Sequence, residues 1–438
     1  MTRGDTPLRA STWLAGLAAV AIVACAAAAR LLPAQERASL IVSDVTLIDG
    51  KGGAPREHVS LVIRDGRIAA VIAAGAGVPG EGAEVTIDGR GLFAIPGLWD
   101  SHVHLGSESW ERETATLRDA LRGGVTSVVD MAGDTRSTGA LARAVLAGEI
   151  QGPTIYYSAL IAGPPFFTDP RAVGASLGFR PGEAPWQQAI TDGTDVAGAV
   201  ARARGTGATV HKLYAALDAA AARRVVAEGR RQGMRVVAHA TVFPARPGEL
   251  VAAGVHMLAH APYLVWEGSP PTADFTRRGR GDFVGVAAES PAIERLLAAM
   301  RDSGVALNPT LRVFAESTPP DSLTRARTPW MNAVTRRAAV LGVPIVAGTD
   351  GLLDRRDSLP GIHRELELLV AAGLTPLQAL QSATRNAARV LGVEGERGTL
   401  EPGRAADLLL LGGDPTADIR NTRRIRHVLR AGRMVERH

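Results

Sequence analysis

Two histidines stand two residues apart in the stretch GLWDSHVHL, at the end of an apolar run that begins at Leu92. A strand repeats every two residues, so His102 and His104 point to the same side. Two imidazoles on one face of a buried strand are an odd core filling but half of a metal site. Further along, HKLYAAL carries Lys212, RVVAHAT carries His239, HMLAHAP carries His260 and VPIVAGTDG carries Asp350. Each closes an apolar run of strand length. A set of imidazoles with one carboxylate suits zinc or a similar divalent ion. The single cysteine, Cys25, lies in the N-terminal apolar segment, so the ligands must be His, Asp, Glu or a less usual group.

Lys212 is such a group. Of the 49 Lys and Arg residues only two are lysines, Lys51 and Lys212. A lysine kept in a buried strand of so arginine-rich a chain asks for amine chemistry. A guanidinium stays protonated, whereas a buried amine sheds its proton. A neutral amine reacts with carbon dioxide to give a carbamate, an anionic group with two oxygens that can bridge two metal ions.

The elements that position these residues follow from the apolar pattern. Strand-like runs end near His104, Met131, Ala162, Tyr214, His239, His260, Thr310 and Asp350. Helical stretches such as RETATLRDALRGG and DAAAARRVVAEGRRQG lie between them. This alternation predicts a (β/α)8 TIM barrel over residues 96–395, closed by the helical tail IHRELELLVAAGLTPLQALQSATRNAARVLG. Every candidate ligand falls at the carboxyl end of a strand, the rim where barrels do chemistry. Three long connections, 162–190, 261–290 and 311–330, are the expected substrate walls. The first brings Pro164, Pro165, Phe166, Phe167 and Trp186, an apolar side. The second brings Tyr263 and Trp266 with Arg277, Arg278 and Arg280, a side suited to a carboxylate. Tyr214 continues the inward face of strand four, and His363 opens the last helix beside the strand-eight loop. Both are substrate-contact candidates. His211 alternates outward and His256 lies deeper than His260, so both read as structural, as do Thr349 and Asn386.

The two chain ends share a different texture. Asp-Gly pairs at 49–50, 65–66 and 88–89 mark turns between β-rich runs in residues 36–95. Similar runs return in GTLEPGRAADLLLLGG and IRHVLRAGRMVER, within 396–438. They predict one small β-sandwich domain built from both ends. Residues 1–35 have the form of an export signal or lipoprotein leader: Arg3 and Arg9, an apolar run from Trp13 to Ala29, then polar PAQERA. Ile22-Val23-Ala24-Cys25 resembles a lipobox. The expected location is therefore outside a bacterial cytoplasm, periplasmic or as a membrane-anchored lipoprotein, with membrane contact through the leader alone. The net charge of +5 is small and scattered, which argues against nucleic acid as a partner. An oligomer stays open.

The order His-x-His, Lys, His, His, Asp over strands one, four, five, six and eight resembles the amidohydrolase superfamily, in its branch with two metals and a carboxylated lysine. IPGLWDSHVHL, VAGTD and ELELLVAAGLTPLQALQSATRNAARVLG are similar to the imidazolonepropionase-related and Xaa-Pro-dipeptidase-like members. The resemblance covers essentially the whole chain after the leader. It implies two divalent ions, zinc being the expected metal. His102, His104 and Asp350 would hold the more buried ion, His239 and His260 the other, and carboxylated Lys212 would bridge them. Asp350 would act as general base and then acid. The implied reaction is hydrolysis of a C–N bond, amide or peptide-like, by metal-activated hydroxide. A dipeptide or N-acyl amino acid fits the expected walls. A lactonase or phosphotriesterase-like hydrolase, or a non-catalytic exported metal-binding protein, are the alternatives.

Overall fold

The chain is seen here as a computed structural model that describes residues 40–73, 83–316, 322–353 and 359–436, with Met1 and Ala76. The leader expected over 1–35 lies outside the described residues, Met1 apart. Five strands come first: β1 (Leu40–Leu47), β2 (Arg56–Arg64), β3 (Arg67–Ile72), β4 (Val85–Asp88) and β5 (Phe93–Pro96). One residue later the chain enters a second sheet at β6 (Leu98–Val103). The residue between them is Gly97. A Cβ there would sit 2.2 Å from Thr126 Oγ1, so only glycine allows the close crossing.

The second sheet is parallel. Its strands are β6, β7 (Val125–Asp130), β8 (Thr154–Ala162), β9 (Gln187–Ala189), β10 (Val210–Leu213), β11 (Arg235–His239), β12 (Met257–Ala259) and β13 (Ala306–Asn308). They run in the order β6-β7-β8-β10-β11-β12-β13, with β9 on β8. Every residue of β6, β7 and β10 is buried, as expected of strands covered on both faces. Helices cover the outside. Helix Ala219–Arg231 is typical: Asp218 accepts from Ala221 N at 2.7 Å to cap it, and Ala222, Val225, Val226 and Gly229 form its buried stripe.

The eighth strand differs from expectation in regularity. Residues 343–350 form no named strand, yet they close the ring. Leu307 N donates to Pro344 O at 2.8 Å and Val346 N to Leu307 O at 2.9 Å on the β13 side. Ser101 N donates to Ala347 O at 3.1 Å and Asp350 N to His102 O at 2.8 Å on the β6 side. Pro344 lacks a donor, and Asp350 turns out of the extended region at φ +57°. Both interrupt a continuous ladder.

The chain then returns to the first sheet with β14 (Leu408–Leu411), β15 (Ile425–Arg430) and β16 (Arg433–Met434). The order is β16-β15-β14-β5-β1-β2-β3, with β4 also on β1. The small domain expected as a β-sandwich is thus one hydrogen-bonded mixed sheet from both chain ends. The physical reason shows in β14, whose four leucines are all buried. Leu408 and Leu410 join Val42, Leu61 and Ile63 in the core of the end domain. Leu409 and Leu411 join the barrel's core with Ile95. A sheet apolar on both faces finds its second cover in the barrel.

Candidate active site

The carboxyl ends of β6, β10, β11, β12 and the 343–350 segment converge. His104 Nε2 lies 2.9 Å from Asp350 Oδ1 and His102 Nε2 lies 3.5 Å from it. The His102 and His260 rings are 4.8 Å apart between centroids, and those of His260 and His239 are 4.5 Å apart. Ligand atoms of His102, His260 and Asp350 all lie within 4.8 Å of one another. Asp100 braces this end: it accepts from Thr349 Oγ1 at 2.6 Å and Thr349 N at 2.9 Å, and from His102 N at 3.2 Å. Positive φ angles collect here, at Ala132, His260, Thr310 and Asp350. Strained backbone at strand ends is a mark of functional sites.

Each imidazole is held from behind at Nδ1. The partners are Asn308 Oδ1 for His102 at 2.9 Å and Ala132 O for His104 at 3.3 Å. They are Thr241 Oγ1 for His239 at 2.7 Å and Thr310 Oγ1 for His260 at 2.8 Å. Such support orients a metal ligand. Burial keeps His102 and His239 well below the ordinary histidine range and His260 down to about 3. These three neutral imidazoles have lone pairs to give, whereas at His104 burial is outweighed, the hydrogen bond to Asp350 being the largest of the influences that raise its pKa. Burial acts to raise the Asp350 carboxyl, but His102, His104 and His260 prevail and hold it well below the usual range. Lys212 is wholly buried, and its Nζ has no hydrogen-bond partner among the described residues. Burial pushes that amine down to about 7, against the opposing charge of Asp350. An unpaired buried amine is costly. The donor set fits a divalent metal.

Above this centre is a cavity of about 410 Å³. All three long connections wall it: Phe166 and Arg171 from the first, Tyr263 and Arg278 from the second, Phe314 and Arg327 from the third. Tyr214 also lines it, its ring 5.0 Å from that of His239 and stacked at 4.5 Å on Phe166. Arg171 is paired with Asp169 at 2.8 Å and donates to Tyr214 Oη at 3.3 Å. Arg278 lies 4.4 Å over the Phe275 ring and has no ion pair among the described residues. Among the described residues, Asp350 is the one carboxylate on the lining.

The Amidohydrolase family matches residues 93–435. The chain belongs to the amidohydrolase family. It is a hydrolase of carbon–nitrogen bonds in a metal-dependent family. A dihydroorotase of Pelotomaculum thermopropionicum is 30% identical over 427 residues, covering 86% of this chain and 89% of that enzyme. An ochratoxinase of Aspergillus niger is 28% identical over 445 residues, covering 89% and 85%. The crystal structure of A. niger ochratoxinase matches with a TM-score of 0.71 at 25% identity, over 90% of this chain and 95% of its own. A Xaa-Pro dipeptidase structure matches with a TM-score of 0.71 at 22% identity, over 91% and 99%, which shows the shared fold.

Some expectations for this amidohydrolase need correction. His363 does not reach the cavity. It is fully buried, with Nδ1 3.0 Å from Thr422 Oγ1 and Nε2 2.9 Å from Gly123 O, which ties the tail helix to the turn before β7. Trp186 and Trp266 brace the walls instead of lining them, donating to Ala175 O at 2.7 Å and Arg278 O at 2.8 Å. Pro164, Pro165 and Phe167 are likewise off the lining, and Arg277 and Arg280 line a separate small cavity. His211 is buried toward the helices, as its alternation suggests. Spacing assigns no role at the site to Asn308, Thr310, Thr241, Arg171 or Phe314. For Asn308 and Thr310 a signal existed: the polar ending of the apolar run VALNPT.

Proposed function

We propose that this amidohydrolase cleaves the amide bond of an N-acyl amino acid or dipeptide with two zinc ions, which a carboxylated Lys212 would help to hold. The observation that carries this is Lys212 Nζ, buried at the end of β10 and unpaired among the described residues, beneath a cavity on whose described lining Arg171, Arg278 and Arg327 face a single carboxylate, Asp350. His102, His104 and Asp350 would hold one ion, His239 and His260 the other. Bound there, the metals supply Lewis acidity and a water of lowered pKa. The chain's own residues do the rest. His104 Nε2 and His102 Nε2 face Asp350 Oδ1 at 2.9 and 3.5 Å, which would leave Oδ2 to take the water's proton and pass it to the departing nitrogen. Phe166, Tyr214 and Tyr263 pack an apolar substituent and exclude water from it. Arg278, uncommitted to any acid among the described residues, pairs with the substrate's carboxylate. The likeness to a Xaa-Pro dipeptidase supports a substrate of that size. Residues 1–35 support export, as a periplasmic or lipid-anchored enzyme. Mass measurement of the N-terminus from the native host checks that.

The test is a panel of N-acyl amino acids, Xaa-Pro dipeptides, their carboxamides, lactones and phosphotriesters, with metal content measured alongside. Turnover of an acid over its carboxamide is expected, and Arg278→Ala should abolish that preference mainly through KM. Turnover confined to lactones or phosphotriesters would overturn the proposal.

A further inference from the structure

We infer that Asn308, at the end of the seventh barrel strand, is the positioning residue that sets which nitrogen of His102 carries the proton and so which one faces the metal. This rests on the metal-centre reading above. Strand seven contributes none of the residues proposed as ligands. Asn308 is nevertheless fully buried behind the centre. Its Nδ2 donates to Val346 O at 2.8 Å, on the segment that closes the barrel. A carbonyl oxygen can only accept, so the amide cannot be turned over. Its Oδ1 is thereby aimed at His102 Nδ1, 2.9 Å away. An amide oxygen has no proton to give. Nδ1 of His102 must therefore be the donor, and Nε2 keeps its lone pair on the side of Asp350 Oδ1, 3.5 Å away.

Among the other supports, Ala132 O assigns the His104 proton in the same way, because a carbonyl only accepts. A hydroxyl donates or accepts, so at Thr241 and Thr310 the ring's proton depends on their other bonds: Thr310 Oγ1 also donates to Pro309 O at 2.8 Å, and Thr241 N donates to His239 Nδ1 at 3.2 Å. Asn308 also reaches the other half of the site, since its own carbonyl accepts from His260 N at 2.8 Å. The neighbourhood is shaped for the amide. A Cβ on Gly348 would lie 2.6 Å from Asn308 Nδ2 and 2.8 Å from His102 N, so a glycine there leaves the side chain its place. One side chain thus needs a donor toward strand eight and an acceptor toward strand one. A carboxylate supplies only the acceptor, and an apolar side chain supplies neither.

That difference makes the test. Asn308→Leu and Asn308→Asp both lose the bond to Val346, so both should melt at a similar, lower temperature than the unaltered full chain. Metal binding should separate them. Cobalt titrated against a chelator, and followed by its visible absorption, should bind about 10–100-fold more weakly at one of the two positions in Asn308→Leu. Asn308→Asp keeps the acceptor and should bind cobalt as the unaltered chain does. Equal weakening in both variants, or none in Asn308→Leu, overturns the role of Asn308. An unaltered chain that takes up no cobalt overturns the metal-centre reading instead. If the variants do not fold, nitrogen-15 spectra of the zinc-loaded unaltered chain still decide. Nδ1 of His102 should carry a proton and Nε2 should be metal-bound, and the reverse assignment sinks the inference.

Discussion

Lys212 shows how much one side chain's surroundings decide. A buried amine without a partner has two ways out, to stay neutral or to react. If it becomes a carbamate, Lys212→Arg should be as damaging as Lys212→Ala, although arginine keeps the charge. A guanidinium neither sheds its proton nor captures carbon dioxide, and a cation beside two metals is repulsive. Both variants should lose at least the about 10–100-fold that failure of a metal ligand's support costs. Formate, acetate or bicarbonate should restore part of the rate to Lys212→Ala and none to Lys212→Arg. A Lys212→Arg enzyme with normal rate and metal content would end the two-metal reading.

The same amine predicts a pH effect in the metal-free chain. Its pKa is about 7 in the folded protein against an ordinary 10.5. Between those values the unfolded chain holds a proton that the folded chain has shed. Stability from this group therefore rises with pH, by up to about 1.4 kcal/mol per pH unit, and is lost as pH falls through 7. Urea unfolding at pH 7, 8 and 9 should show that slope, and Lys212→Met should remove it. Equal slopes in the two proteins count against a neutral buried amine.

At the scale of elements, the closing segment 343–350 is packed closely against its neighbours. Gly348 faces Asn308 and the backbone of His102 at distances no Cβ tolerates. Gly348→Ala should cost about 1–3 kcal/mol of stability through overpacking. It should also weaken metal binding, because His102 and Asn308 are the atoms displaced. Gly174 is the control, since a Cβ there meets nothing within 4 Å. Gly174→Ala should stay within about 0.5 kcal/mol of the parent. Thermal melting with chelator competition reads both effects. If Gly348→Ala behaves like the control, the segment is looser than its geometry implies.

For the whole molecule, the end sheet and the helical tail are fastened to the barrel well away from the catalytic rim. His363 is one fastener, bonded at one nitrogen to Thr422 near β15 and at the other to Gly123 before β7. His363→Ala leaves buried polar groups unmatched and should cost about 1–3 kcal/mol. kcat and KM should change little, because the ring does not line the cavity. A large rise in KM with unchanged melting temperature would return His363 to the substrate.

Asp350, Lys212 and the four rim histidines were legible from spacing because each ends an apolar run, and a parallel strand that ends in a polar residue presents it at the barrel's mouth. The barrel was legible too, since strand and helix periods alternate along the chain. So were the three walls, as long Pro- and Gly-rich connections, though not which of their aromatics turn inward. Spacing is silent on contacts made across the fold. Asn308 meets His102 across 206 residues of sequence, and His363 meets Gly123 across 240. The eight strands were marked by apolar runs, but the irregular eighth came from Pro344 and the bend at Asp350. The two-faced burial of β14 depended on where the barrel lies. Periodicity is a property of one element and is written in its own residues. Which ring nitrogen meets a carbonyl, and which arginine is left without an acid, are properties of surfaces that only the folded chain brings together.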